Sequence, residues 1–183
     1  MILASRSPRR RELLALITEN FTIIPAKGEE SIPDGTPARA AVELLARQKA
    51  QEIALTHSGE VIVAADTVVC CDGVIMGKPR SEAHAREMLR SLSGRVHEVY
   101  TGVCVMFPDG CRECFSEETL VEFFELTDEE IAAYAATGEP MDKAGAYGIQ
   151  GRGALLVKGI KGDYYNVMGL PVARLARVLK GRI

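Results

Sequence analysis

The stretch from Val61 to Ala65 is apolar at every position. A strand with one wet face alternates apolar and polar residues, so a run without alternation predicts a strand buried on both faces. Its surroundings supply the cover. Ile2 to Ala4 is a short apolar run that reaches Ser5, Arg6, Ser7 and Pro8, after which RRELLALI carries Leu13, Leu14, Leu16 and Ile17 at helical spacing. That pattern predicts strand, tight turn and helix, with Ser7 as N-cap and Pro8 at the first helical position, where its missing N–H costs nothing. Asp66 and Thr67 stand at or near the end of the buried strand, the place where α/β proteins put groups that meet a ligand.

The rest of the chain keeps interleaving helices with strands. Phe21 to Pro25 predicts a second strand, and Thr36 with Pro37 repeats the cap-then-proline signal before a helix through Val42, Leu44, Leu45 and Ile53. Val68 to Met76 folds back around Asp72 and Gly73. A helix from about Ser81 to Leu92 stops at Gly94, and Val96 to Phe107 and Cys111 to Phe124 read as long strands joined by Pro108, Asp109 and Gly110. Thr127 with Glu130 forms a capping box before a short helix ending at Gly138. A glycine-rich loop over 139–153, a strand over 154–157 and a helix over 171–180 complete the pattern. Helices between strands, together with two antiparallel hairpins, predict an α/β fold with a mixed central β-sheet flanked by helices.

The 183 residues predict one domain, taken as 1–183, at roughly 150 residues per domain. Lys and Arg number 22 against 25 for Asp and Glu, a net charge of −3 that advertises neither a nucleic-acid nor an anionic-membrane partner. No apolar run approaches the roughly 20 residues that cross a bilayer, and the opening arginines follow a very short apolar stretch, the reverse of a secretory signal. A cytoplasmic protein with reduced thiols is therefore expected from its odd count of 5 cysteines. The acidic stretch from Glu117 to Glu130 is expected to be a solvated face.

Four features could carry chemistry. The Ser5, Arg6, Ser7 turn aims backbone N–H groups and the positive end of a helix dipole at one place, and Ser5, Ser7, Arg9 and Arg10 can add donors, which makes a phosphate cradle. Asp66 can hold a divalent cation or take a proton from water, with Glu29 or Glu30 as a second oxygen ligand in the manner Mg²⁺ favours. Lys78, held in the Gly77, Lys78, Pro79 turn, can neutralise phosphate oxygens as leaving-group charge develops, whereas Lys49 on the second helix reads by itself as a surface lysine. The stretch Gly73 to Lys78 is too short for a P-loop, and Pro79 replaces its Ser or Thr. In the loop 139–153, Tyr147 and Gln150 suit a base, and the glycines permit close backbone approach. By contrast, Cys111 and Cys114 lack partners at zinc spacing, and His97 reads as a packed strand histidine.

Taken together, LASRSPRR at 3–10, ADT at 65–67, GKP at 77–79, EPMDKAGAYGIQGRGA at 139–154 and GDYYNVMGLP at 162–171 resemble the Maf family of nucleoside triphosphate pyrophosphatases. The resemblance runs from the first strand to the last helix. It implies a Maf/Ham1-like arrangement of two lobes around a cleft. It also implies hydrolysis between the α and β phosphates with a divalent metal cation, Mg²⁺ or Mn²⁺, in a cytoplasmic homodimer. SPRR, ADT and AYGIQ are similar to the branch acting on dTTP and UTP rather than on methylated GTP. On this resemblance Asp66 is the proton acceptor, and Arg10, Thr67 and Gln150 shape base choice. Ser7, Arg9, Lys49 and Lys78 contact the triphosphate, Lys78 also stabilising the departing pyrophosphate, while Glu30 joins Asp66 at the metal. A nucleotide-binding regulator of septum formation, and a methylated-GTP pyrophosphatase, are the competing expectations.

Overall fold

The structure, a computed structural model, describes residues 1–28 and 30–183, so Glu29 lies outside the described residues. Thirteen elements occur in the order β1 (Ile2–Leu3), α1 (Pro8–Ala15), β2 (Thr22–Ile23), α2 (Ala38–Ala54), β3 (Ile62–Cys71), β4 (Val74–Met76), α3 (Glu82–Leu92), β5 (Val96–Met106), β6 (Arg112–Phe123), α4 (Asp128–Ala135), β7 (Val157–Lys161), α5 (Tyr164–Met168) and α6 (Val172–Leu179). The strands form one seven-stranded sheet in the order β2-β1-β3-β5-β6-β7, with β4 alongside β3. β1 pairs in parallel with β2 and β3, and the remaining pairings are antiparallel. The mixed sheet flanked by helices is thus as the sequence implies.

β3 is the axis of the molecule. On one face α2 packs its Ala46, Ala50 and Ile53 against Ile62, Ala64 and Cys104. The other face carries two apolar clusters end to end. α1 and α6 cover Val63, Ala65, Val103 and Phe115, while α3 and α4 cover Val69, Val99, Val121 and Phe123. These clusters are the cores of two lobes.

β1 reaches only Val63 in its pairing with β3, and β4 begins to pair at Val69. Between them, residues 64–68 of β3 have no strand partner on that edge. The cause is local: Ser5, Arg6 and Ser7 turn the chain out of the sheet, Ser7 caps α1 by accepting from Arg10 N, and Pro8 fills the first helical position. The gap left behind is where the site forms.

α2 comes unusually close to the sheet at Gly102, which lies opposite Asp66 in β5. A Cβ there would stand 2.3 Å from the Val42 carbonyl oxygen and 2.7 Å from Glu43 N. Lys49 lies about two turns beyond Val42 on the same side of the helix, so this close approach is what brings Lys49 to Asp66.

In the second lobe, the glycine-rich segment folds into three short 3₁₀ turns over Glu139–Asp142, Ala144–Ala146 and Gly151–Leu155. Tyr147 pins it. Its ring stacks edge-on against Phe123 and His97 at centroid distances of 4.7 and 5.3 Å, and its hydroxyl lies 2.8 Å from His97 Nε2. Gly145, with φ +70°, fits flush on Val69, where a Cβ would come within 2.8 Å.

Several expectations are corrected. The apolar run is only the first half of a ten-residue strand, so Asp66 and Thr67 lie mid-strand, not at its end. Thr36 does not cap α2. Pro37 holds the cap position without a side-chain bond, and the Thr36 hydroxyl donates to Pro33 O instead. The strand expected at 154–157 starts at Val157, because residues 151–155 coil into a 3₁₀ turn. Cys104 and Cys114, expected to be reduced, face each other across β5 and β6 with Cα atoms 4.1 Å apart and are joined as a disulfide; Cys70, Cys71 and Cys111 are free. The acidic stretch is solvated but paired: Glu117 with Arg174, Glu118 with Arg39, Glu122 with Lys158 and Asp128 with Arg90.

Two predictions follow from this packing. Gly102→Ala must push α2 off the sheet, and overpacking of this kind costs about 1–3 kcal/mol; a denaturation midpoint equal to wild type would show that α2 is not pressed there. Burial lowers the pKa of His97 from 6.5 to about 4. Below pH 6.5 the unfolded chain therefore binds a proton that the folded chain refuses. The His97 contribution is intact above pH 6.5 and is lost as pH falls toward 4, up to roughly 3 kcal/mol. Denaturant unfolding across pH 4–7 should show a steeper fall for wild type than for His97→Gln, and parallel curves would contradict this.

Candidate active site

The gap in the edge of β3 opens into a cleft of about 1050 Å³. Ser7, Arg9, Arg10, Glu30, Lys49, Asp66, Thr67, Lys78 and Gln150 all line it, so these residues, singled out from the sequence, come to one place. Glu29 cannot be placed among them, being outside the described residues.

Asp66 and Thr67 are neighbours in a strand and so point to opposite faces. Asp66 turns toward α2. Its Oδ1 accepts from Lys49 Nζ at 2.5 Å, and the same Nζ lies 3.0 Å from Glu30 Oε1. The side chains of Lys49 and Asp66 are 15% and 14% exposed, which places the pair largely out of water, where it is screened far less than a surface ion pair. One carboxylate thus faces the cleft with a cation at its back.

Thr67 turns to the other face, and there Arg10 meets it. Arg10 Nε donates to Gly169 O at 2.8 Å, Nη2 donates to Thr67 Oγ1 at 2.9 Å, and Nη1 donates to Ser5 Oγ at 3.4 Å. The sequence placed Arg10 in the phosphate cradle as well as at the base. The structure stretches it across the floor of the cleft, from Ser5 to Gly169 and Thr67. Burial lowers its pKa and the nearby Asp66 charge raises it; a guanidinium stays protonated through such shifts.

Ser7 N donates to Ser5 Oγ, and Arg10 N donates to Ser7 Oγ, so both hydroxyls act as local acceptors and keep their protons for a ligand. Arg9 lies 3.6 Å from Asp142 of the facing lobe. Lys78 is exposed in its turn and forms no ion pair among the described residues. Gly77 O accepts from Gly145 N at 3.1 Å, which ties that turn to the loop that carries Gln150.

The sequence reading missed two groups. Asp142 and Lys143 form the rim opposite α1, with Lys143 Nζ 2.6 Å from Asp142 Oδ1 and 2.5 Å from Glu139 O. Burial pushes the Asp142 carboxyl up, but the hydrogen bond and charge of Lys143, aided by Arg9, outweigh it and hold the group below its ordinary value. Behind Thr67 lies a wholly buried polar row of Thr101, Asn166 and Thr119. Nothing in their spacing marks them, although Asn166 and Gly169 fall inside the 162–171 string. Among the described residues no group of three or more His, Cys, Asp or Glu converges as a metal cluster.

The arrangement joins a partly desolvated carboxylate, several cations on one wall, a helix N-terminus and a polar floor. It fits an elongated anion carrying a planar polar group. The model for "Maf-like protein" matches residues 1–182. The chain is 54% identical over 179 residues to a protein of Carboxydothermus hydrogenoformans named dTTP/UTP pyrophosphatase, covering 97% of this chain and 96% of that one. It is 52% identical over 180 residues to one of the same name from Moorella thermoacetica, covering 98% and 93%. The fold is shared with a HAM1 protein of Coxiella burnetii at a TM-score of 0.52 and 16% identity, covering 97% of this chain and 96% of that chain. The chain belongs to the family of Maf-like proteins.

Proposed function

We propose that this protein is a nucleoside triphosphate pyrophosphatase that hydrolyses dTTP and UTP to the nucleoside monophosphate and pyrophosphate. The observation that carries the reading is the convergence of Asp66, Lys49, Lys78 and the α1 N-terminus in one cleft with Arg10, Thr67 and Gln150. The names borne by relatives half identical over nearly the whole chain support the substrate assignment.

Asp66 offers the oxygen that Lys49 leaves free to a water molecule and takes its proton. The resulting hydroxide adds to the α phosphorus, and the bond from that phosphorus to the oxygen bridging to the β phosphate breaks. Pyrophosphate leaves with the bonding electrons, and its charge is met by Lys78, Arg9 and the Ser5 and Ser7 hydroxyls at the positive end of α1. Arg9 and Lys49 each lie against a carboxylate, at 3.6 Å from Asp142 and 3.0 Å from Glu30. Phosphate oxygens would compete for both cations, so substrate binding exchanges internal ion pairs rather than filling a vacant charge. Arg10, Thr67 and Gln150 contact the base.

A divalent cation suits the donor set. Asp66 Oδ1 and Glu30 Oε1 converge on a single cationic group at 2.5 and 3.0 Å, and two hard oxygens completed by phosphate oxygens are the arrangement Mg²⁺ and Mn²⁺ accept. Asp66 and Glu30 would hold the ion, whose chemistry is to neutralise triphosphate charge. A homodimer in the cytoplasm, where nucleoside triphosphates are met, completes the proposal; the dimer rests on the family resemblance, and sedimentation velocity decides it.

The test is pyrophosphate release from dTTP, UTP and methylated GTP with Mg²⁺ or Mn²⁺. Turnover of dTTP and UTP is expected, reduced at least about a hundredfold in Asp66→Asn. Affinity without product would favour a nucleotide-binding regulator, and product from methylated GTP alone the other branch. Unaltered turnover in Asp66→Asn would take the proton-acceptor role from Asp66.

A further inference from the structure

We infer that Thr101, a residue outside the cleft, determines base selection by fixing the direction of the Thr67 hydroxyl. The inference rests on the reading above, in which Thr67 and Arg10 meet the base.

Thr101 is wholly buried and lies directly opposite Thr67 in the pairing of β3 with β5. Its Oγ1 is 2.9 Å from Thr67 Oγ1 and 2.9 Å from the main-chain carbonyl oxygen of Asn166. A carbonyl oxygen only accepts, so the single Thr101 proton is committed to Asn166. The Thr67–Thr101 bond then has one possible direction: Thr67 donates and Thr101 accepts. Arg10 Nη2 lies 2.9 Å from the same Thr67 oxygen, and a guanidinium has only protons to give. Thr67 Oγ1 therefore spends its proton on Thr101 and one lone pair on Arg10, and has a second lone pair left for the cleft.

The end of this relay is held firmly. The Asn166 side chain is wholly buried, and its Nδ2 donates to Val99 O and to Thr119 Oγ1, both at 3.0 Å. Thr119 Oγ1 in turn donates to Asp163 O at 2.9 Å. Asn166 thus cannot turn its main-chain carbonyl away from Thr101 without breaking two buried bonds. Reversing the Thr67 hydroxyl toward the cleft would leave the wholly buried Thr101 oxygen one donor short, a desolvation penalty the relay avoids.

The floor of the cleft consequently presents an acceptor, Thr67, beside a donor, the remaining N–H groups of Arg10. Uracil and thymine carry a ring N–H between two carbonyl oxygens, which matches that order. In the pose that sets the uracil ring N–H against Thr67 and a carbonyl oxygen against Arg10, cytosine places an unprotonated ring nitrogen against Thr67 and its amino group against Arg10, which opposes a lone pair to a lone pair and a proton to a proton. A site built on committed hydrogen bonds discriminates strongly against such an inversion. Thr101 acts through Thr67 and touches no substrate, so it is a positioning residue.

The experiment compares kcat/KM for UTP and CTP in wild type, Thr101→Val and Thr101→Ser, with thermal melting to confirm folding. Wild type should prefer UTP at least about tenfold, as expected of a polar site facing a mismatched donor and acceptor. Thr101→Ser keeps the hydroxyl and should keep the preference. Thr101→Val frees the Thr67 proton to turn to the cleft, and the UTP-to-CTP ratio should collapse toward unity while Asp66 chemistry persists. Thr101→Ala frees the same proton and serves if the Val variant does not fold. A wild type indifferent to the base, or an undiminished ratio in a folded Val or Ala variant, would overturn the inference while leaving the pyrophosphatase reading standing. Absence of pyrophosphate release from UTP in wild type would overturn both.

Discussion

Everything at the site depends on an interruption in the edge of one strand. β3 is paired along its length with β5, but on its other side β1 stops at Val63 and β4 starts at Val69. In the interval the sheet offers an open edge, and α1 brings its N-terminus to it. A longer β1 would close the gap with backbone hydrogen bonds and leave no room for a ligand. What prevents this is chemical and local: Ser7 and Pro8 are far better at starting a helix than at continuing a strand. The same few residues thus end the strand, open the cleft and supply its anion-binding wall.

The open edge also explains how two adjacent residues serve different ends of a ligand. Asp66 and Thr67 point to opposite faces, one backed by Lys49 on α2 and the other by Arg10. On the Thr67 face, the buried row of Thr101, Thr119 and Asn166 divides the two apolar clusters. A polar row between two cores is costly where a group lacks a partner, and here the hydroxyls and the Asn166 amide nitrogen are bonded, in one direction from Arg10 to main-chain carbonyls, while the Asn166 side-chain oxygen has no partner among the described residues. The lobes therefore meet along a seam of committed hydrogen bonds, and the cleft lies where that seam reaches the surface.

Much of this was legible in the sequence wherever a local rule decides the structure. Ser7 with Pro8, the Asp72–Gly73 turn and the Thr127–Glu130 capping box all form as their chemistry dictates. The residues of the site were legible as types, an acid after an apolar run and basic turns, and the family resemblance gathered them into one function. What escaped detection depends on register or on long-range packing. Asp66 looked like a strand end because both faces of β3 turn polar there, which is the mark of the open edge itself. Thr101 looked like any strand threonine, since its meaning lies in the residue opposite. Cys104 and Cys114 are ten positions apart, and only the pairing of β5 with β6 brings them face to face. The short helix α5 carries no apolar period long enough to announce it.

The central claim is that the interval between β1 and β4 holds the substrate, triphosphate against α1 and base against Arg10. A crystal structure with a UTP analogue whose α–β bridging oxygen is replaced by a methylene group tests it most directly. The account predicts the α phosphate beside Asp66, the outer phosphates at Ser7, Arg9 and Lys78, and the uracil edge on Thr67 and Arg10. An analogue lodged elsewhere, or inverted so that the base meets α1, would contradict it.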